Sequence, residues 1–195
     1  MELEQVDLKI FREDGSLYDH VRSARAVFEP GQSRLHSDGE VEIVRGVPAE
    51  GTPRGRLMVI RSSGVTFETR SGKATTERAA NFDFDLGEGK CVGASYDPAA
   101  RELRMHSQVE LHWRGRGPRP RPMRLETGDL FYKERESKVY LIPWARLTRD
   151  SMVLETGGAV VTLEDGAIRL VEAQAAKGAT EDPRRRLEYQ AHNLN

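Results

Sequence analysis

Apolar and polar residues alternate along much of this chain, most clearly between residues 102 and 113. The odd positions from Leu103 to Trp113 are apolar except for one serine, whereas the even positions from Glu102 to His112 are all polar. Successive side chains of a β-strand point to opposite faces, so this alternation is typical of a strand with one buried face. An antiparallel sheet with one wet face is therefore predicted.

The same arrangement of apolar residues occurs three times. Each copy has anchors at offsets 0, 7, 13 and 15, and the copies begin at Phe28, Tyr96 and Tyr132, with a weaker fourth copy at Phe67. Repetition at this spacing predicts units that bury their apolar faces by stacking on neighbouring units. An ordinary β-sandwich is the alternative. The other anchors are Leu35, Val41 and Ile43; Leu103, Val109 and Leu111; Val139, Ala145 and Leu147; and Ala74, Ala80 and Phe82.

Strands are predicted along most of the chain, and helical periodicity is scarce. Asp14 and Gly15 mark a tight hairpin turn, and the glycines and prolines of 46–55 mark an exposed loop. Residues 75–80 are predicted to form at most a short turn. The predicted strands span 6–12, 21–28, 34–44, 56–60, 65–70, 79–86, 90–96, 102–113, 123–132, 138–148, 152–156, 159–163 and 167–173.

Composition narrows the classes of function. Charged residues reach 31% but leave a net charge of -1, so no global field attracts nucleic acid. Cys91 is the only cysteine, which excludes a disulfide framework and a thiolate metal cluster. The sequence has no long apolar run and no signal peptide.

Catalytic signals are weak. The five histidines do not occur at metal-binding spacings, and no phosphate-binding glycine loop or nucleophile elbow is found. Asp83 with Asp85 and Glu40 with Glu42 place carboxylates on one strand face, but such pairs are common on wet faces. We expect a protein that is not an enzyme and needs no cofactor or metal.

An arginine-rich segment follows Trp113. It contains five arginines, three prolines and two glycines between 114 and 124, with no acid. The planar guanidinium group of arginine binds anionic groups through paired hydrogen bonds. The candidate contacts for a lipid head group or a partner are therefore Arg114, Arg116, Arg119 and Arg121. A solvated linker is the main alternative. Nucleic acid is disfavoured because no aromatic residue lies among the arginines.

Residues 64–113 resemble the periplasmic lipopolysaccharide-export family LptC and the related OstA-like family of LptA. The resemblance lies in the order and spacing of Phe67, Gly72, Phe82, the Tyr96-Asp97-Pro98 triplet and Leu103 with Val109. Opening strands from Val6 to Ile43 fit as well, and 123–195 look like looser OstA-like repeats. We therefore expect an LptC-like domain at 1–113, a loop at 114–122 and further repeats at 123–195.

The resemblance implies an all-β fold, an elongated antiparallel β-jelly roll built of stacked repeats and folded like a taco. It implies that the inner face holds the acyl chains of lipopolysaccharide, and that neighbouring OstA-like proteins join end to end through edge strands. It places the protein in the periplasm, in assembly of the Gram-negative outer membrane. Inner-membrane members normally begin with a membrane helix, so we expect a segment of a longer, anchored protein that ends within a repeat.

Alternate positions along each predicted strand lie on the same face. Together with the resemblance, this alternation selects candidate lipid-lining residues on the apolar face. A sealed sandwich core would use the same residue types. The face of the strand on which a residue lies therefore does not distinguish a lipid groove from a sealed core. A β-sandwich module that binds carbohydrate or protein through Tyr140 and Trp144 is the competing function. The lining candidates are Phe67, Phe82, Phe84, Leu86, Leu103, Met105, Val109, Leu111, Leu125, Leu141, Leu154 and Leu163.

Overall fold

The computed structural model is one antiparallel sheet of thirteen strands. It describes residues 1–12, 14–53, 57–85, 87–114, 122–164, 167–182 and 185–194, with side chains except at 167, 181, 182, 185–189, 193 and 194. The strands are β1 Glu2–Phe11, β2 Leu17–Glu29, β3 Arg34–Pro48, β4 Met58–Glu68, β5 Ala74–Phe84, β6 Gly87–Asp97, β7 Glu102–Trp113, β8 Met123–Lys133, β9 Lys138–Arg149, β10 Met152–Thr156, β11 Gly158–Glu164, β12 Ala167–Asp182 and β13 Arg185–Leu194. Two 3-10 turns, Pro30–Gln32 and Glu134–Glu136, complete the described secondary structure.

The predicted all-β jelly roll is confirmed, with local corrections to the strands. The strands predicted separately at 56–60 and 65–70 form one strand, β4. Residues 75–80, predicted to form at most a short turn, belong to β5. Strands from β1 to β9 each pair with the next along the chain, and β9 pairs with both β10 and β11. The sheet continues from β7 to β8 across the arginine-rich segment.

The four sequence copies correspond to four equivalent hairpins. In each, the residues at offsets 0 and 7 are direct cross-strand partners, as Tyr96 is with Leu103. The residue at offset 5 has a left-handed backbone every time, with φ of 51° at Ser33, 73° at Gly72, 57° at Arg101 and 51° at Ser137. The repeat is therefore a hairpin with a fixed turn geometry.

Side-by-side hairpin tips are joined by backbone hydrogen bonds at two places and by an ion pair at a third. Thr69 N–H donates to Ser33 O at 2.9 Å, and Glu134 N–H donates to Arg101 O at 3.0 Å. The tips at 69–73 and 97–101 are joined by an ion pair, with Lys73 Nζ 3.0 Å from Asp97 Oδ2. These contacts stack the hairpins in chain order, as the repeat predicts.

A row of register irregularities runs through the seven strand pairs from β2–β3 to β8–β9, and we call this row the crease. It passes, for example, between Ser37 and Glu40 in β3 and between Met105 and Val109 in β7. At the crease, β10 and β11 are separated by Gly157 although both pair with β9. β-Bulges bend strands, so the crease folds the sheet into two half-sheets.

We call the two parts the upper and lower half-sheets. The upper half-sheet contains 6–11, 17–23, 41–48, 58–62, 80–84, 87–91, 109–113, 123–127, 145–149, 152–156 and 177–182. The lower half-sheet contains 2–4, 27–29, 34–37, 65–68, 74–76, 92–97, 102–105, 129–133, 138–142, 158–164 and 167–174.

Hydroxyl groups along the crease, which are buried or half-buried, donate hydrogen bonds to backbone carbonyls there. Thr76 Oγ1 donates to Ser63 O at 2.8 Å, and Ser107 Oγ donates to Val92 O at 2.9 Å. Thr127, which is 1% exposed, donates to Trp144 O at 2.6 Å, and Thr156 donates to Gln174 O at 3.0 Å. Buried carbonyls need such partners, so the hydroxyls stabilise the bend.

Charged residues cover the outer face of the upper half-sheet. Glu42 lies between Arg22 and Arg61 of the adjacent strands, with Arg61 Nη2 at 2.9 Å. Glu110 is similarly placed, 3.1 Å from Lys90 Nζ and 3.3 Å from Arg124 Nη2. The outer face is therefore polar, and the apolar faces of both half-sheets form the core.

Candidate functional site

A cavity of about 290 Å³ lies between the two half-sheets. Leu103 and Met105 reach it from the lower half of β7, and Leu111 and Trp113 reach it from the upper half of the same strand. The fold at the crease therefore turns one strand into two opposing walls. The lining residues are Met58, Phe82, Phe84, Asp85, Leu103, Met105, Leu111, Trp113, Met123, Leu125, Leu130, Tyr132, Val139, Leu147, Val161, Leu163 and Ile168.

The cavity has a buried floor and a partly exposed mouth. Phe82 is 2% exposed at the floor. Phe84, Trp113, Met123 and Leu163 are half-buried toward the mouth, where Asp85 is exposed. Phe84 and Trp113 pack edge to face with ring centroids 5.9 Å apart. The mouth thus presents aromatic and aliphatic surface to a ligand arriving from solvent.

Glycines in β6 give neighbouring side chains the space they occupy. A Cβ atom on Gly87 would lie 2.1 Å from His112 O, and one on Gly89 would lie 2.2 Å from Leu111 Cδ2. Both glycines are buried. Glycine in a strand commonly marks such a close approach, and here it lets Leu111 reach the cavity wall.

Seven of the predicted lining residues lie on the cavity wall. Phe67, Val109 and Leu141 are instead buried in the core away from the wall, at 4%, 2% and 0% exposure. Leu154 is half-buried against the core, and Leu86 lies outside the described residues. Contact of any of these residues with lipid remains a prediction. The seven are Phe82, Phe84, Leu103, Met105, Leu111, Leu125 and Leu163.

The arginine candidates are only partly described. Arg114 is exposed, with Nη2 3.3 Å from Glu88 Oε2 and 3.8 Å from Asp83 Oδ1. Its charge is thus partly balanced within the protein. Arg116, Arg119 and Arg121 lie outside the described residues.

Sequence reasoning missed several wall residues. Trp113 has the same parity as Leu103, and Leu147 is a repeat anchor, so both could have been chosen by the rule applied to their neighbours. Met58 and Ile168 are not anchors of the repeat, so no such signal marked them. Their place at the cavity follows from how the sheet folds.

Asp85 and Tyr132 are the titratable residues on the described wall of the cavity. Among the described residues, no cluster of three metal-ligating side chains is found. Burial raises the pKa of the Cys91 thiol to about 12, which keeps it protonated and unreactive at neutral pH. Burial also raises the pKa of Tyr132 at the wall above its ordinary value.

On the outer face, the two aromatic residues considered for ligand binding are separated by the crease. Tyr140 packs on Phe131, with ring centroids 6.2 Å apart, and donates to Glu136 Oε2 at 2.9 Å. Trp144, 45% exposed, lies beyond Pro143. Within the described ranges, no helix is long and apolar enough to cross a membrane.

Comparison with known proteins identifies a family for the first 113 residues. A family model described as lipopolysaccharide-assembly, LptC-related, matches residues 1–113, more than half of the chain. Among curated proteins, no sequence matches the chain. Proteins of the matched family act in lipopolysaccharide transport as periplasmic domains of the cell envelope, together with other Lpt proteins. The chain therefore belongs to the LptC-related family of lipopolysaccharide-assembly proteins and takes part in lipopolysaccharide transport.

Proposed function

We propose that the cavity between the half-sheets holds acyl chains of lipopolysaccharide while the lipid crosses the periplasm. The observation that supports this most directly is the apolar wall contributed by both half-sheets, which reaches the surface at Trp113 and Met123. Pockets for apolar ligands are typically concave and largely preformed, as this one is. Transport then needs burial of hydrocarbon and no catalytic group.

The size of the cavity fits part of an acyl chain. Its volume of about 290 Å³ is nearly twice the roughly 150 Å³ of an engineered cavity that binds benzene. Each methylene group removed from water contributes about 0.8 kcal/mol, so eight methylenes would contribute about 6 kcal/mol. Apolar contacts have little directionality, so the lipid can slide along the wall.

Tryptophan fluorescence provides a direct test, because the chain has two tryptophans in different places. In Trp144→Phe, Trp113 at the cavity mouth is the only tryptophan left. A lipid A analogue with brominated acyl chains should quench Trp113, because bromine quenches on contact. Unlabelled lipopolysaccharide should restore the fluorescence by competition.

The matched variant is Trp113→Phe, which leaves only Trp144 on the outer face. We expect no quenching of Trp144 by the brominated lipid. Quenching of Trp144 in place of Trp113, or binding of a soluble glycan that changes Trp144 alone, would contradict acyl binding in the cavity and favour an outer-face binding module.

We further propose that the protein joins its neighbours through its edge strands. Within the described chain, β1 pairs only with β2, and β13 only with β12. Unpaired strand edges are templates for another strand. A photo-crosslinking residue in place of Lys9, exposed on β1, should capture a neighbouring Lpt protein. The same residue at Arg22, exposed one strand inward, should not. Equal capture at both positions would contradict edge pairing.

A further inference from the structure

Arg45 is an almost fully buried cation near the end of β3, 8% exposed. Its guanidinium lies 3.8 Å from the ring centroid of Tyr96, and Nη2 donates a hydrogen bond to the Tyr96 hydroxyl. Nη2 is also 3.6 Å from Glu134 Oε2, and Nε is 3.9 Å from Asp19 Oδ2. Four separate segments of the chain meet at this one side chain.

These four residues belong to opposite margins of the folded sheet. Arg45 and Asp19 lie near the tips of the upper half-sheet, whereas Tyr96 and Glu134 lie at hairpin tips of the lower half-sheet. We call the line along which the margins approach each other the seam. Gly72 approaches Ile10 across it, since a Cβ on Gly72 would lie 3.4 Å from Ile10 Cγ2. The seam is thus closed beside the first strands.

The contacts of Arg45 end where the cavity begins. Arg45 Nη1 lies 3.7 Å from Met58 Sδ, and Met58 lines the cavity. Tyr132, two residues before Glu134, lines it as well. Beyond this point the half-buried side chains of Phe84 and Trp113 form the mouth. Arg45 therefore stands between the closed part of the seam and the open part.

The backbone beside Arg45 is fixed within the upper half-sheet. Asp19 accepts a hydrogen bond from Gly46 N–H at 2.8 Å, and Gly46 has a left-handed φ of 68°. The Nε atom of Arg45, in contrast, has no hydrogen-bond partner in the described structure. A hydrogen bond of the Arg45 side chain is instead made across the seam, to Tyr96. A buried arginine that contacts both margins in this way is suited to hold two surfaces together reversibly.

We infer that Arg45 and Tyr96, with Asp19 and Glu134, form a clasp that sets how far the seam opens for lateral entry and exit of lipid. This inference rests on the proposed acyl binding. The clasp limits access while leaving the cavity wall unchanged. It should therefore control rates of lipid exchange more than equilibrium affinity.

The test compares Arg45→Met with Arg61→Met. Arg61 is an exposed arginine on the adjacent strand whose ion pair with Glu42 lies on the outer face, so it is a matched control. Arg45→Lys keeps the charge without the planar fork, and Tyr96→Phe keeps the ring without the hydroxyl. These two milder variants carry the test if Arg45→Met does not fold.

The first measurement needs no lipid. Amide hydrogen exchange at Glu134 and Ser137, whose N–H groups bond within the lower tips, should be about tenfold faster in Arg45→Met and unchanged in Arg61→Met. Unchanged exchange at both amides in all three clasp variants would overturn the clasp.

The second measurement uses quenching of Trp113 by the brominated lipid in stopped flow. Association and dissociation should both be about tenfold faster in Arg45→Met, with Kd within about twofold of the parent protein. If amide exchange is faster but the association and dissociation rates of the lipid are unchanged, Arg45 stabilises the structure without controlling lipid access, and the inference is wrong. If the parent protein shows no quenching at all, the proposed acyl binding fails, whereas the exchange data still decide whether the margins are clasped.

Discussion

The hydroxyl groups at the crease should be worth far more to stability than identical hydroxyl groups one residue away. Thr75 and Thr76 are adjacent in β5, but Thr75 is exposed and Thr76 is 7% exposed at the crease. Thr76 Oγ1 donates to Ser63 O at 2.8 Å and accepts from Arg78 N–H at 3.0 Å. Replacing each threonine in turn by valine tests the role of the hydroxyl with the same substitution.

The expected cost follows from the groups left without partners. Valine keeps the β-branched shape but cannot serve either backbone group, and each buried polar group without a partner costs about 1–3 kcal/mol. We expect Thr76→Val to lower the free energy of unfolding by about 3 kcal/mol. For a chain of this length that corresponds to a decrease in Tm of about 6–12 °C.

Urea denaturation followed by circular dichroism gives both the midpoint and the slope m. The midpoint should fall in Thr76→Val while m stays constant, because the surface exposed on unfolding is the same. Thr75→Val should remain within about 0.5 kcal/mol of the parent protein. Equal stability of the two variants would refute the assignment of a structural role to the buried hydroxyl.

Three further outcomes follow from the structure. Gly87→Ala should destabilise the protein by about 3 kcal/mol or more, because the new methyl group meets the backbone carbonyl of His112, whereas Gly31→Ala, with open space around it, should be neutral in the same thermal melt. Cys91, with its pKa raised to about 12 by burial, should react with maleimide at pH 8 only after denaturant is added, and rapid labelling of the native protein would show that the strand opens. Burial also raises the pKa of Tyr96, so its neutral form stabilises the fold fully below pH of about 10 and less as pH rises above that value. The urea midpoint should therefore drop as pH rises above about 10, and less steeply in Tyr96→Phe.

Much of this fold could be predicted from the sequence, because the hairpin repeats have local causes. Tyr96 and Leu103 are partners across a hairpin, and a spacing of seven residues with a fixed turn is visible in the sequence. The crease was not predicted, because the apolar parity continues from Met105 to Val109 and hides the irregularity between them. A signal was present in Ser37, Thr76 and Thr127, which are polar residues on otherwise apolar faces.

The cavity and the clasp depend on contacts between distant strands. Val109 and Leu111 share a face, yet only Leu111 lines the cavity, whereas Val109 is buried in the core. The alternation of residues along the strand cannot tell which of two residues on the same face lines the cavity. Arg45 was visible as a charge at an apolar position of β3, but its partners Tyr96 and Glu134 are identified only once the margins meet.

Because the hairpins stack tip to tip, the length of this molecule is set by its number of strands. Neighbouring strands are about 4.8 Å apart, so each further hairpin would extend the array by about 10 Å. The left-handed residue and the cross-strand pair recur in every unit, so an added unit would meet the same contacts at both of its neighbours. The distance that such a protein covers can therefore change in discrete increments, by gain or loss of whole hairpins, without redesign of its interior.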